Sequence, residues 1–120
     1  MLPSEAELKI LSFLWKHGSC KAIMIANSFL EEYGWAKNTT YTMIHRAMKK
    51  GLISRTDPGF ICTPLVELKD LQNTSIDEVR KAYFDNSNFE LIKSLINDTK
   101  FSSDEINELY SLIDKEKGSK

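Results

Sequence analysis

The residues best equipped for chemistry lie in one stretch, WAKNTTYTMIHRAMKKG, residues 35–51. Wound into a helix, Asn38, Thr42, His45 and Lys49 repeat on one side, flanked by Thr39, Tyr41 and Arg46, with no carboxylate among them. A solvated helix face ordinarily mixes both signs of charge. This face suits recognition of an anion. An α-helix fits the major groove of DNA, and short polar side chains near its N-terminus reach base edges. Asn38 suits adenine N6/N7, and Thr39 and Thr42 offer a hydroxyl or a methyl. Arg46 suits guanine O6/N7 or a phosphate. Lys49 and Lys50 suit phosphates, Tyr41 suits the backbone, and His45 is spaced for a surface contact. Ser19 and Lys21, where the preceding helix begins, are further candidates for phosphate contact. Taken singly, each residue has a plain structural reading. Asn and Thr cap helix starts, and Arg and Lys at a helix end complement its dipole. The acid-free arrangement on one face, just before a hairpin, favours groove reading.

Catalytic patterns are absent. There is no Gly-rich phosphate loop, no H-E-x-x-H and no G-x-S-x-G. His17 stands beside a helix-ending glycine, where a cation suits the dipole. Cys20 and Cys62 lie outside any C-x-x-C pattern and read as small half-buried thiols in a reducing compartment. The methionines read as gap fillers, and Trp15 and Trp35 as packing residues. No cofactor and no metal are expected, and the chain does not read as an enzyme.

The elements that must hold the basic face follow from periodicity. Ser4 and Glu7 have capping-box spacing. Behind them Leu8, Leu11, Leu14 and Trp15, widened by Ile10 and Phe13, predict a helix that stops near His17-Gly18. Ile23, Ile25, Ala26, Phe29 and Leu30 predict a second, ending near Gly34. In the third, Thr40, Met43, Ile44 and Ala47 face the core, and Gly51 supplies the stop. Ala36 is a poor cap, so Asn38 is the predicted one. The period then changes to 2. Leu52–Arg55 and Phe60–Thr63 predict strands joined by the turn Thr56-Asp57-Pro58-Gly59. Three helices and a β-hairpin, in that order, make a winged helix-turn-helix.

From Val66 onward the pattern is helical. A helix is predicted from about Glu67 to Phe84, with a possible break at Asn73-Thr74-Ser75, then one over Phe89–Ile96. A last helix is capped by Ser102 or Ser103, Ser102 and Glu105 having capping-box spacing. Residues 66–120 in such short amphipathic pieces make a poor free-standing core. A second copy of the chain is the simplest cover. The expected dimerisation residues are Leu68, Leu71, Val79, Tyr83, Leu91, Leu95, Ile106, Leu109, Leu112 and Ile113.

The bulk numbers agree with that division. The 120 residues, 42% hydrophobic and 28% charged, are enough for one domain or two small units. Net charge is only -1, but residues 1–64 carry eight Lys/Arg against five Asp/Glu, and residues 65–120 carry eight against twelve. No run of about 18 apolar residues exists to span a bilayer. The opening MLPSEAELK lacks the apolar stretch of an export signal. A cytoplasmic location is expected, with no membrane insertion.

Ser4-Glu5-Ala6-Glu7-Leu8 with Leu14-Trp15 and Gly18 resembles the opening of the penicillinase repressor family, which includes the methicillin-resistance regulators. The likeness continues through Trp35, Thr39, Thr42, Arg46, Lys49-Lys50-Gly51-Leu52 and Thr63-Pro64-Leu65-Val66. It returns at Ser103-Asp104-Glu105-Ile106 and Glu108-Leu109. The resemblance implies a homodimeric transcriptional repressor on a palindromic operator with TACA/TGTA-like half-sites. Thr39, Thr42 and Arg46 match the family's recognition-helix positions. Thr40 stands where an aliphatic core residue is usual, and Asn38 and Tyr41 where bases are frequent. Ala36 replaces the usual Ser, and the short wing tip carries an acid, Asp57. Members in the β-lactam pathway are cut at an Asn-Phe bond, which implies a membrane-bound sensor protease as partner. Ser94-Leu95 aligns there, and Asn88-Phe89 lies some six residues earlier. The copper-responsive branch has a cysteine-rich tail, whereas residues 114–120 here contain no Cys.

The expectation is therefore a mainly α fold with a small β-hairpin. Residues 1–65 form a winged helix-turn-helix DNA-binding domain, and residues 66–120 a helical dimerisation domain. The partners are double-stranded operator DNA and a second copy. The alternative is a winged-helix module that docks an acidic partner protein.

Overall fold

The computed structural model describes residues 2–118. The chain forms two compact units, Met1–Ile76 and Asp77–Lys120. The family of helices and strands anticipated above is present, with differences that have physical causes.

In the first unit, α1 spans Glu5–His17. Ser4 Oγ accepts from Glu7 N at 3.2 Å, and Ser4 N donates to Glu7 Oε1 at 2.8 Å, closing the capping box. Gly18, at φ 83, ends the helix by donating its N–H to Leu14 O at 2.7 Å. Strand β1, Cys20–Lys21, is followed at once by α2, Ala22–Tyr33, and then by α3, Lys37–Lys49. Strands β2, Ile53–Thr56, and β3, Ile61–Pro64, form the wing. The sheet is antiparallel with order β1-β3-β2, so it has three strands where the sequence predicted two.

The core of this unit joins Ile10, Leu11 and Leu14 of α1, Ile25 and Phe29 of α2, Ile44 and Ala47 of α3, and Leu52, Ile53 and Cys62 at the wing. Each large side chain there contributes about 1.5–3 kcal/mol by leaving water. Phe29 is the hub. Phe13, Tyr33 and Trp35 each meet its ring edge-on, at centroid distances of 5.9, 5.1 and 5.4 Å. Trp15 Nε1 donates to Val66 O at 2.9 Å, fastening the chain beyond the wing to α1. Three residues expected in the apolar stripes point outward instead: Leu8, Ile23 and Leu30 are exposed. In α1 the buried stripe is led by Ile10, Leu11 and Leu14.

Helix α4, Leu68–Tyr83, is continuous through Asn73-Thr74-Ser75. Thr74 Oγ1 donates to Asp70 O at 2.9 Å, so this weak helix former bonds within the helix and does not break it. In the second unit, Arg80 secures the turn after α4, reaching Asn86 Oδ1 at 2.9 Å and Asn88 Oδ1 at 3.3 Å. Helix α5 runs Asn88–Asp98, with Ser87 Oγ accepting from Glu90 N at 3.1 Å. Helix α6 runs Ser103–Gly118 and is opened by a capping box between Ser102 and Glu105. The Ser102 backbone N–H and hydroxyl hold the Glu105 carboxyl below its ordinary range. No residue of α4, α5 or α6 is buried.

Candidate nucleic-acid interface

Helix α3 is set by packing more than by its cap. Ala36 is the N-cap and makes no side-chain bond, and its carbonyl accepts from Thr39 N at 2.9 Å. Asn38 therefore lies inside the first turn and is not the cap that the sequence predicted. The helix is anchored from below by Thr40, Ile44 and Ala47, all fully buried. That orientation turns Asn38, Thr39, Thr42, His45, Arg46 and Lys49 outward, and all six are exposed.

The outward side chains differ in what they have left to offer. Thr42 Oγ1 donates to Asn38 O at 2.9 Å. Its proton is thus committed, and it presents a methyl group and acceptor lone pairs. Arg46 and Lys49 make no ion pair among the described residues. Lys37, which sequence reasoning did not single out, is also exposed and unpaired there, at the helix N-terminus where the dipole disfavours a cation. The signal was legible: a lysine in the first turn with no acid beside it.

Lys50 is used differently. Its Nζ lies 2.6 Å from Glu7 Oε1, and Glu7 is only 1% exposed. Burial alone pushes the Glu7 carboxyl up. The Lys50 ammonium and the Ser4 backbone and hydroxyl outweigh it and hold the carboxyl below its ordinary range. One carboxylate thus caps α1 and pins the end of α3.

The wing is bolted to the same helix through Phe60. Its ring lies 5.8 Å from that of Tyr41 and 5.6 Å from that of His45, while the Arg55 guanidinium sits 3.7 Å from its centroid. Tyr41 is half-buried by this contact, so its ring serves packing. Phe60 has φ 50, a left-handed conformation that costs a side-chain-bearing residue about 1 kcal/mol or more. Its N–H donates to Asp57 Oδ1 at 3.3 Å, and its carbonyl accepts from Ala22 N at 2.9 Å. Asp57, the only acid of the wing, is paired with Arg55 at 3.1 Å. Ser19 and Lys21 are exposed just before α2, and the Lys21 stem runs beside Gly59 of the wing turn. The fold thus gathers Lys21, the wing and the outward face of α3.

The penicillinase repressor family model matches residues 3–115. The chain belongs to this family. It is 25% identical over 119 residues to the penicillinase repressor of Bacillus licheniformis, covering 98% of this chain and 93% of that one. It is 30% identical over 115 residues to the methicillin resistance regulatory protein MecI of Staphylococcus aureus, covering 93% of each. The solution structure of the DNA-binding domain of the repressor BlaI superposes with a TM-score of 0.52 at 30% identity, over 56% of this chain and 84% of that one. These relatives of the penicillinase repressor family are repressors and regulators, not enzymes. In this member, no group of three or more His, Cys, Asp or Glu among the described residues is placed to hold a metal. No described helix is long and apolar enough to cross a membrane.

The residues expected at a dimer interface are open to solvent. Leu68, Val79, Tyr83, Leu95, Ile106, Leu109, Leu112 and Ile113 are exposed, and Leu71 and Leu91 are half-buried. Leu71 packs against the core of the first unit.

Proposed function

We propose that this penicillinase repressor homologue is a homodimeric transcriptional repressor that lays α3 of each protomer in the major groove of a palindromic operator. Residues 1–65 act as the reading domain and residues 66–120 as the dimerisation domain. The observation that carries the reading is the outward face of α3, which bears Lys37, Arg46 and Lys49 without one acidic neighbour to neutralise them. Asn38, Thr39 and Thr42 supply base contacts, Thr42 through its methyl and lone pairs. Arg46 grips a guanine or a phosphate. Lys21, Lys37 and Lys49 meet phosphates. Lys50 positions the helix through Glu7, and Tyr41 and His45 position it through Phe60. Repression is occlusion of polymerase. Anything that breaks the pairing of residues 66–120 releases the operator.

The test is a pair of substitutions read by DNA titration over a salt series. Arg46→Ala lowers affinity for the preferred sequence by roughly 1–3 kcal/mol and relaxes preference at one position. Lys49→Ala weakens all sequences alike and reduces the salt slope by about one. If both variants bind every duplex as the parent does, α3 is not the reading element.

A further inference from the structure

The register sets Cys20 directly opposite Cys62 across β1 and β3. Opposed residues of an antiparallel pair share one face of the sheet. The bond from Ala22 N to Phe60 O, two residues along the same ladder, makes Cys20 and Cys62 a hydrogen-bonded pair. Such pairs have Cα atoms about 5.5 Å apart, within the ~4.4–6.8 Å that a disulfide spans, and their Cβ atoms, about 5.5 Å apart, must approach by about 1 Å to reach the ~3.5–4.5 Å of a bridge. Both thiols are free, and neither takes part in the DNA contacts proposed above. Their access differs. Cys62 is fully buried, while Cys20 is half-buried and lines an open cavity of about 570 Å³ with Phe13, His17, Lys21 and Met24. The lysine gives that cavity a cationic rim, suited to a small anionic reagent.

We propose that Cys20 and Cys62 close a reversible intrachain disulfide by exchange with a small anionic disulfide such as oxidised glutathione. The more accessible thiol, Cys20, reacts first. The Cys20 thiolate attacks one sulfur of the glutathione disulfide. That S–S bond breaks, and one glutathione leaves as a thiolate that takes up the proton Cys20 released. The Cys62 thiolate then attacks the Cys20 sulfur, and the second glutathione leaves and takes up the other proton. Two protein thiols are oxidised, and one glutathione disulfide is reduced to two thiols. Burial pushes the Cys20 thiol up, and burial together with Cys20 pushes Cys62 up to about 11. Both attacks are therefore slow near neutrality, and the bridge answers sustained oxidation. The ring it closes contains α2, α3 and β2, the whole reading apparatus up to the wing. Closing it restricts the unfolded chain and stabilises that segment.

The experiment treats the full chain with oxidised glutathione, quenches with an alkylating agent and reads intact mass, peptide map and melting temperature. The wild type loses two hydrogens in mass and yields one cross-linked peptide joining Cys20 to Cys62. It melts at least about 5 °C higher, and dithiothreitol reverses every change. Cys62→Ala instead keeps a glutathione on Cys20, and Cys20→Ser forms no bridge. A wild type that accumulates the Cys20 adduct, links two chains through Cys20, or stays fully reduced after a day at pH 8 overturns the proposal. Because DNA binding is not the readout, these outcomes leave the operator reading untouched.

Discussion

Residues 5–64 and residues 88–118 both consist of amphipathic pieces, yet they use their apolar faces in opposite ways. In the first region the stripes of α1, α2 and α3 meet one another and bury Ile10, Leu14, Phe29 and Ile44 almost completely. In the second, Leu95, Leu109, Leu112 and Ile113 stay open to solvent, and neither α5 nor α6 buries a residue. Amphipathicity says that a face is meant to be covered. It does not say whether the cover comes from the same molecule. A region that closes its own core can present a rigid surface, as α3 does. A region that cannot is poised to make assembly a condition of function.

Substitution has its largest effect in the second region. Replacing Leu109 and Leu112 together by Asp yields a monomer in sedimentation and lowers affinity for a two-half-site duplex by about 10²–10⁴-fold. The melting of the first region is unchanged. A double variant that sediments like the parent shows that a second copy is not what covers α6.

A smaller effect is expected where a charge is buried in the first region. Glu7→Gln leaves Lys50 without its partner and costs about 3 kcal/mol in urea unfolding. The pH dependence has a definite sign. The folded Glu7 carboxyl is held below its unfolded value of about 4.3, so the unfolded chain takes up the proton first. Its stabilisation is complete above the unfolded value and is lost as pH falls through the folded one. The variant lacks this part of the acid-induced loss. Identical acid profiles for parent and variant would refute the assignment.

The smallest effect is a gain. Thr40 is fully buried, and its hydroxyl has no hydrogen-bond partner among the described residues. Thr40→Val keeps the shape, removes the unsatisfied group and stabilises by about 1 kcal/mol. Calorimetry detects this, and DNA affinity stays the same because the side chain faces inward.

Local signals carried much of this architecture. Ser4 and Glu7 announced the start of α1, Gly18 its end, and the spacing of Thr40, Ile44 and Ala47 the inner side of α3. What was not legible is non-local or settled by competition. Strand β1 is two residues long and has no period of its own; it exists because β3 offers it a free edge. Lys50 reads as a phosphate contact until the fold brings Glu7, 43 residues away, against it. Phe60 reads as an ordinary strand residue, and only the turn reveals that it couples the wing to Tyr41 and His45. Leu8, Ile23 and Leu30 fit the helical period as well as their neighbours do, and a few tens of degrees around the helix decide which are covered.

The most direct measurement is selection of bound sequences by the full chain from randomised duplex DNA. Two copies of a short site in inverted repeat, centred about one helical turn or a whole multiple apart, are the expected result. Enrichment of a single unrepeated site, or of no sequence at all, contradicts paired α3 helices reading successive grooves.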